Sequence, residues 1–180
     1  MRDVMKLKDI DLRILSELMK NSKISDRKLA GIIGVSQPTV TRKRAKLEKE
    51  GMLEYTAIPN FAKLGFEIVA ISFYSWTPEA TSELSENREE ISNKLSAFLS
   101  KHKNIIFTSN GEGLGMERVM ISVHESYSDY VRLVNAVNRE WGRYLDKSES
   151  FIISTQVDIV GRHLGFKYLA EHLVEKPKMP

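Results

Sequence analysis

Leu29-Ala30-Gly31-Ile32-Ile33-Gly34-Val35-Ser36-Gln37-Pro38-Thr39-Val40 is the stretch whose reading decides the fold. Ser25 precedes it and suits a helix start, because a serine oxygen accepts one of the backbone N–H groups left unpaired there. The helix it caps carries Leu29, Ala30, Ile32 and Ile33. Gly34 ends it, since glycine enters the left-handed conformation without a Cβ clash. After a sharp turn Ser36 caps a further helix, and Pro38 is tolerated in a first turn, where N–H groups lack intrahelical partners. This helix is expected to run to about Glu50 and to stop at Gly51. Two helices joined so tightly describe a helix-turn-helix.

Toward the N-terminus, Ile10, Leu12, Ile14, Leu15, Leu18 and Met19 recur at three- and four-residue spacing and predict a helix over 9–20, broken by Asn21-Ser22. In the other direction, Met52-Leu53-Glu54-Tyr55-Thr56-Ala57-Ile58 alternates enough for one or two short strands, a wing that Pro59-Asn60 ends. A linker is expected over 61–66. Beyond it the pattern changes: Ile68 to Trp76 is β-branched and aromatic, and 83–101 places Leu84, Ile91, Leu95, Phe98 and Leu99 on one helical face. Strands over 104–109 and 119–124 flank Gly111-Glu112-Gly113-Leu114-Gly115. A helix over 126–145 carries Tyr127, Tyr130, Val131, Val134, Val137, Trp141 and Tyr144, and a strand over 151–160 follows. The order βαββαβ is the ferredoxin-like arrangement, an antiparallel sheet with two helices on one face. The fold class is therefore α+β: a winged helix-turn-helix over 1–62, a ferredoxin-like domain over 63–160, and a tail over 161–180. The tail's short amphipathic helix, with Leu164, Tyr168, Leu169 and Leu173, is expected to end before Pro177.

The 180 residues have room for two small domains, and 42% hydrophobic with 28% charged content is that of an ordinary globular chain. No apolar run approaches the roughly 18–20 residues of a membrane span, and the charged opening Met1-Arg2-Asp3-Val4-Met5-Lys6-Leu7-Lys8 lacks the apolar core of a signal peptide. A cytoplasmic protein without a membrane partner is expected. The absence of cysteine excludes disulfides, thiolate catalysis and cysteine-ligated metal. Charge is unevenly placed: 13 Lys and Arg stand against 8 Asp and Glu up to Asn60, and 14 against 16 beyond it.

In the third helix Val40 and Leu47, seven residues apart, belong to the packing side, while Gln37, Thr39, Arg42, Lys43 and Lys46 project mainly elsewhere. Gln pairs with adenine and Arg with guanine or phosphate, and Ser or Thr hydroxyls reach phosphate at a helix start. Ser36, Gln37, Thr39, Thr41, Arg42, Lys43 and Lys46 are the expected DNA-binding set. Most charged helix faces are merely solvated. Here the preceding helix and glycine turn favour duplex DNA as the partner.

The stretches Leu7-Lys8-Asp9-Ile10-Asp11-Leu12-Arg13-Ile14-Leu15, Leu29-Ala30-Gly31-Ile32-Ile33-Gly34-Val35-Ser36 and Leu47-Glu48-Lys49-Glu50-Gly51-Met52-Leu53 resemble the Lrp/AsnC family of transcription regulators. The resemblance runs in order and architecture from Leu7 to about Val160 and is most specific in the first third. It implies a sequence-specific regulator, not an enzyme, acting as a homodimer or higher even-numbered homo-oligomer, with a ferredoxin-like domain that often binds a small-molecule effector between subunits. Two departures stand out. Arg44 occupies a position the family usually keeps apolar, so either its stem packs while the guanidinium reaches solvent, or the helix is rotated and Arg44 joins the DNA face. After the second strand, Gly111 is followed three residues later by Leu114 where aspartate is common. Gly111, Glu112, Gly113 and Glu117 are the candidate effector residues, and their carboxylates suit a cationic or amine-bearing ligand. The alternative is a hairpin with no ligand.

Other signals are weaker. Phosphate-cradling glycine loops open into a helix, whereas the glycines at 111, 113 and 115 lead into a strand. His102, His124, His163 and His172 lack metal-ligand spacing, so no metal and no cofactor is expected. Ser82 and Ser85 read as helix caps or turn residues, with no base to activate them. Siroheme decarboxylases share the two-domain outline. His124 is the residue such an enzyme would use, and the intact basic helix opposes that reading.

Overall fold

The computed structural model describes residues 7–157, 162 and 164–175. The expectations for residues 1–6 of the opening segment, for strand residues 158–160, and for Gly161, His163 and Pro177 fall outside the described residues, as do the side chains of Leu84 and Ser85. The described residues fall into two compact units, one holding those up to Ile58 together with those from 162 onward, the other those from Pro59 to 157.

In the first unit α1 (Asp9–Lys20), α2 (Asp26–Ile33) and α3 (Gln37–Lys49) follow the apolar periodicity. Ser25 Oγ accepts the Lys28 N–H at 3.3 Å and Ser36 Oγ accepts the Thr39 N–H at 3.4 Å, so both serine caps form. Gly34 takes φ +80°, a conformation that a side chain would strain. Ile14, Leu18, Leu29, Ile33, Val40 and Leu47 come together as the core of the three helices, with Leu53 packed against its edge. The stretch expected to form a wing has no strand: 53–60 carries no ladder. Two strands of three residues, with no Asn-Gly or Asp-Gly turn between them, lack the hydrogen bonds and cross-strand pairs that hold an isolated hairpin. The tail contributes α7 (Leu169–Glu175), which lies against α1 with Ala170 fully buried.

In the second unit a 3₁₀ turn, Ala62–Leu64, precedes β1 (Ile68–Trp76). The single helix expected over 83–101 is two, α4 (Pro78–Glu86) and α5 (Arg88–Lys101), broken at Asn87. Its start lies earlier because Thr77 Oγ1 caps the Ala80 N–H at 3.1 Å with Pro78 in the first turn. The cap is therefore Thr77, and Ser82 lies inside α4. β2 (Ile105–Gly113) and β3 (Met116–His124) are both longer than expected, so Gly111 and Glu112 belong to β2 and the turn shrinks to Leu114-Gly115. Both turn residues have positive φ, +56° and +68°, the two-residue type I′ geometry whose twist suits a hairpin. α6 (Tyr127–Trp141) ends at Gly142, and after a 3₁₀ turn, Gly142–Tyr144, β4 (Leu145–Ser154) begins six residues before the expected strand. The sheet order is β2-β3-β1-β4, all antiparallel.

One face of the sheet is closed by the helices, with Tyr74, Met120, Phe98, Leu133, Val137 and Trp141 in the core. On the opposite face Ile71 pairs with Ile121 and Phe151, and Val69 with Val123 and Ile153. Phe107, Phe151 and Ile153 there keep 49%, 66% and 37% of their surface exposed. No helix among the described residues is long and apolar enough to cross a membrane.

Candidate nucleic-acid interface

Val40 and Leu47 anchor α3 into the core at 0% and 2% exposure, which fixes the face that remains outside. Gln37 and Arg42 lie on that outer face, and neither side chain is paired among the described residues. Lys46 is 65% exposed and stands 3.6 Å from Glu50. At the helix start the Ser36 and Thr39 hydroxyls lie 2.8 Å apart, so the cap also holds two small polar groups at the positive end of the helix. Arg42 and Lys46, four residues apart, lie on one side of α3 and line the same cleft, and Gln37 stands exposed in its first turn.

The other two expected DNA residues are engaged internally. The Thr41 hydroxyl donates to Asp26 Oδ2 at 2.7 Å, which brings the first turn of α2 beside α3. Lys43 Nζ donates to Asp11 Oδ1 at 2.6 Å, with the two side chains only 17% and 14% exposed. Burial works to raise the Asp11 carboxyl, but the Lys43 ammonium and the Lys8 N–H outweigh it and hold the group below its ordinary value. Arg44 takes neither disposition open to it from the sequence. Its Nη1 donates to Asp26 Oδ1 at 3.0 Å and its Nε reaches the Tyr55 hydroxyl, with Glu48 3.4 Å away. The guanidinium thus clamps α3 to the start of α2 instead of projecting to solvent or DNA.

A cleft of about 330 Å³ between the start of α1 and α3 is lined by Lys8, Arg42, Lys43 and Lys46 against Asp11 and Glu50. Its cationic surplus suits a phosphate. Lys8, and the exposed Arg27 and Lys28 in the first turn of α2, add cations beyond the expected set. The signal was there: cations directly after a Ser25 cap sit where helix starts meet phosphate.

Gly111, Glu112, Gly113 and Glu117 are all exposed along one hairpin end. Glu117 Oε2 accepts the Trp76 N–H at 3.0 Å and so ties β3 to the end of β1. A Cβ added at Gly111 or Gly113 meets nothing within 4 Å, so space alone does not require glycine at either position. His124, the residue of the enzymatic alternative, is fully buried. Its Nε2 is 2.9 Å from Ser122 Oγ and its Nδ1 3.1 Å from Asp129 Oδ2, and Ser122 is equally inaccessible. Serine, histidine and carboxylate stand in line here, with the serine and the histidine closed off from solvent. Among the described residues no cluster of potential metal ligands occurs.

Comparison with known proteins agrees with this geometry. A family model described as winged helix-turn-helix DNA-binding matches residues 7–54. The regulator LrpA of Pyrococcus abyssi is 34% identical over 110 residues, 58% of this chain and 77% of LrpA. Among solved structures, Bacillus subtilis LrpC superimposes with a TM-score of 0.67 at 24% identity, covering 88% of this chain and all of LrpC. A Neisseria meningitidis transcriptional regulator in complex with L-methionine gives 0.67 at 14%, covering 91% and 99%. These structural likenesses concern the fold.

Proposed function

Because the chain belongs to the Lrp/AsnC family of DNA-binding transcription regulators, we propose that it reads specific duplex sites with the exposed end of α3, as a cytoplasmic homodimer or larger even-numbered assembly. The observation that carries this reading is the division of labour on α3. Thr41, Lys43 and Arg44 hold the helix in place, and Gln37, Arg42 and Lys46 remain outside with Ser36 and Thr39 at its capped start. Gln37 and Arg42 take base edges, and Ser36, Thr39 and Lys46 take phosphate together with Lys8, Arg27 and Lys28.

The open apolar sheet face is assigned to a second copy of the chain. Its exposed Phe107, Phe151 and Ile153 form the kind of contiguous apolar patch that marks an interaction surface. An effector is assigned to the hairpin of Gly111, Glu112, Gly113 and Glu117, whose carboxylates favour an amine-bearing ligand. The Neisseria regulator's complex with L-methionine supports the binding of a small amine-bearing molecule by a protein of this fold. Selection of bound fragments from genomic DNA, followed by footprinting, tests the whole reading. Paired, pseudo-palindromic half-sites spaced by about one helical turn or a multiple are expected, and a single unrepeated half-site argues against the assembly.

A further inference from the structure

Between the sheet and α5 and α6 lies a cavity of about 60 Å³. Its walls include Trp76, Ile91, Leu95, Phe98, Leu99 and Trp141, and its polar side chains are Arg118, Thr108 and Tyr74. The Tyr74 hydroxyl lies beside Ser72, and burial pushes its pKa up to about 12. Arg118 is the anomaly. Its Nε donates to Thr108 Oγ1 at 3.3 Å, and the Thr108 hydroxyl in turn donates to Val119 O at 3.1 Å, which sets the guanidinium plane. The guanidinium carbon stands 5.9 Å from the centre of the Trp76 ring. No carboxylate among the described residues pairs with it, whereas the partly buried Arg44 has Asp26 Oδ1 at 3.0 Å. Burial depresses its pKa with no opposing charge to compensate. A half-buried cation with unused N–H donors, oriented by a neighbour and opening on an apolar cavity, has the form of a recognition group awaiting an anion.

We propose that this cavity binds a small aliphatic monocarboxylate, its carboxylate on the Arg118 guanidinium and its branched tail among Trp76, Leu95, Leu99 and Trp141. At about 10–15 Å³ for each water-sized group the cavity holds about four to six non-hydrogen atoms, enough for an isobutyl tail of four carbons. The walls offer no carboxylate for an ammonium, so the site prefers an acid that lacks an α-amino group. Arg118 follows Glu117 on β3, but successive strand residues face opposite sides of the sheet, so this site opens under the helices and not on the exposed hairpin end, and it stands or falls independently of DNA binding.

The chain has two tryptophans, Trp76 and Trp141, and both line the cavity, so intrinsic fluorescence of the full chain reports occupancy directly. Titration at pH 7.5 and constant ionic strength with 3-methylbutanoate, its neutral amide and leucine is the test. A saturable change with the acid is expected, with the amide about ten- to a hundredfold weaker, as loss of a charged hydrogen-bond pair dictates, and leucine no better than the amide. In Arg118→Met the preference for acid over amide should vanish. Equal binding of acid and amide, leucine matching the acid, no saturable response to the acid, or a preference that survives in Arg118→Met each overturns the proposal. The comparison of ligands on the unaltered chain decides even if the variant folds poorly.

Discussion

Arg44 and Lys43 are cations on the helix proposed to read DNA, and their charge is taken up inside the protein by Asp26 and Asp11. No periodicity argument finds this, because the partners lie 18 and 32 residues away in sequence. What the sequence does make legible is the complementary position: with Val40 and Leu47 inward, Arg42 on the opposite side must face out. His124 is a similar case of a residue whose role depends on distant packing. Burial holds its imidazole below the ordinary histidine pKa, only partly offset by Asp129. The neutral form is favoured in the folded state, so this contribution to stability is complete above the unfolded pKa of about 6.5 and is lost as pH falls through the lower folded value. Urea unfolding followed by the two tryptophans of the same unit should show a midpoint that drops as the pH falls below about 6.5. His124→Gln should flatten that drop, and an unchanged pH profile in the variant would refute the assignment.

Among the elements, α1, α2, α3 and β1 are readable because core contacts, caps and alternation agree. The departures have local causes. The segment 145–150, Leu-Asp-Lys-Ser-Glu-Ser, looks like a loop because β4 is an edge strand, and edge strands carry charge that protects them from pairing with other chains. α4 is hidden by its polar composition although Thr77-Pro78 marks its start. The β2–β3 turn was obscured by three nearby glycines, since the residue that takes a left-handed conformation at its first corner is Leu114, at φ +56° and 85% exposed. A leucine there bears steric strain of about 1–2 kcal/mol that glycine lacks. Leu114→Gly, after the entropy glycine adds to the unfolded chain, should raise stability by about 0.5–1 kcal/mol. Chemical denaturation measures this, and a loss of stability would show that Leu114 makes a contact beyond the turn itself.

For the whole molecule, affinity for a paired site depends on joining two copies, because a second recognition helix on the same particle binds at high effective concentration. Phe151, two-thirds exposed on the open sheet face, is the residue to charge. Phe151→Lys should yield a folded monomer by sedimentation and weaken binding to a two-half-site duplex by at least about a hundredfold, whereas an unchanged oligomer would place the interface elsewhere. The most direct measurement is an equilibrium titration of the unaltered chain and Arg42→Ala against a duplex recovered by fragment selection and its single-base variants. The account predicts a loss of about 1–3 kcal/mol for Arg42→Ala with relaxed preference at one base pair and no change in fold or oligomer size. Undiminished affinity and unaltered base preference in Arg42→Ala would contradict the claim that the exposed end of α3 reads the DNA.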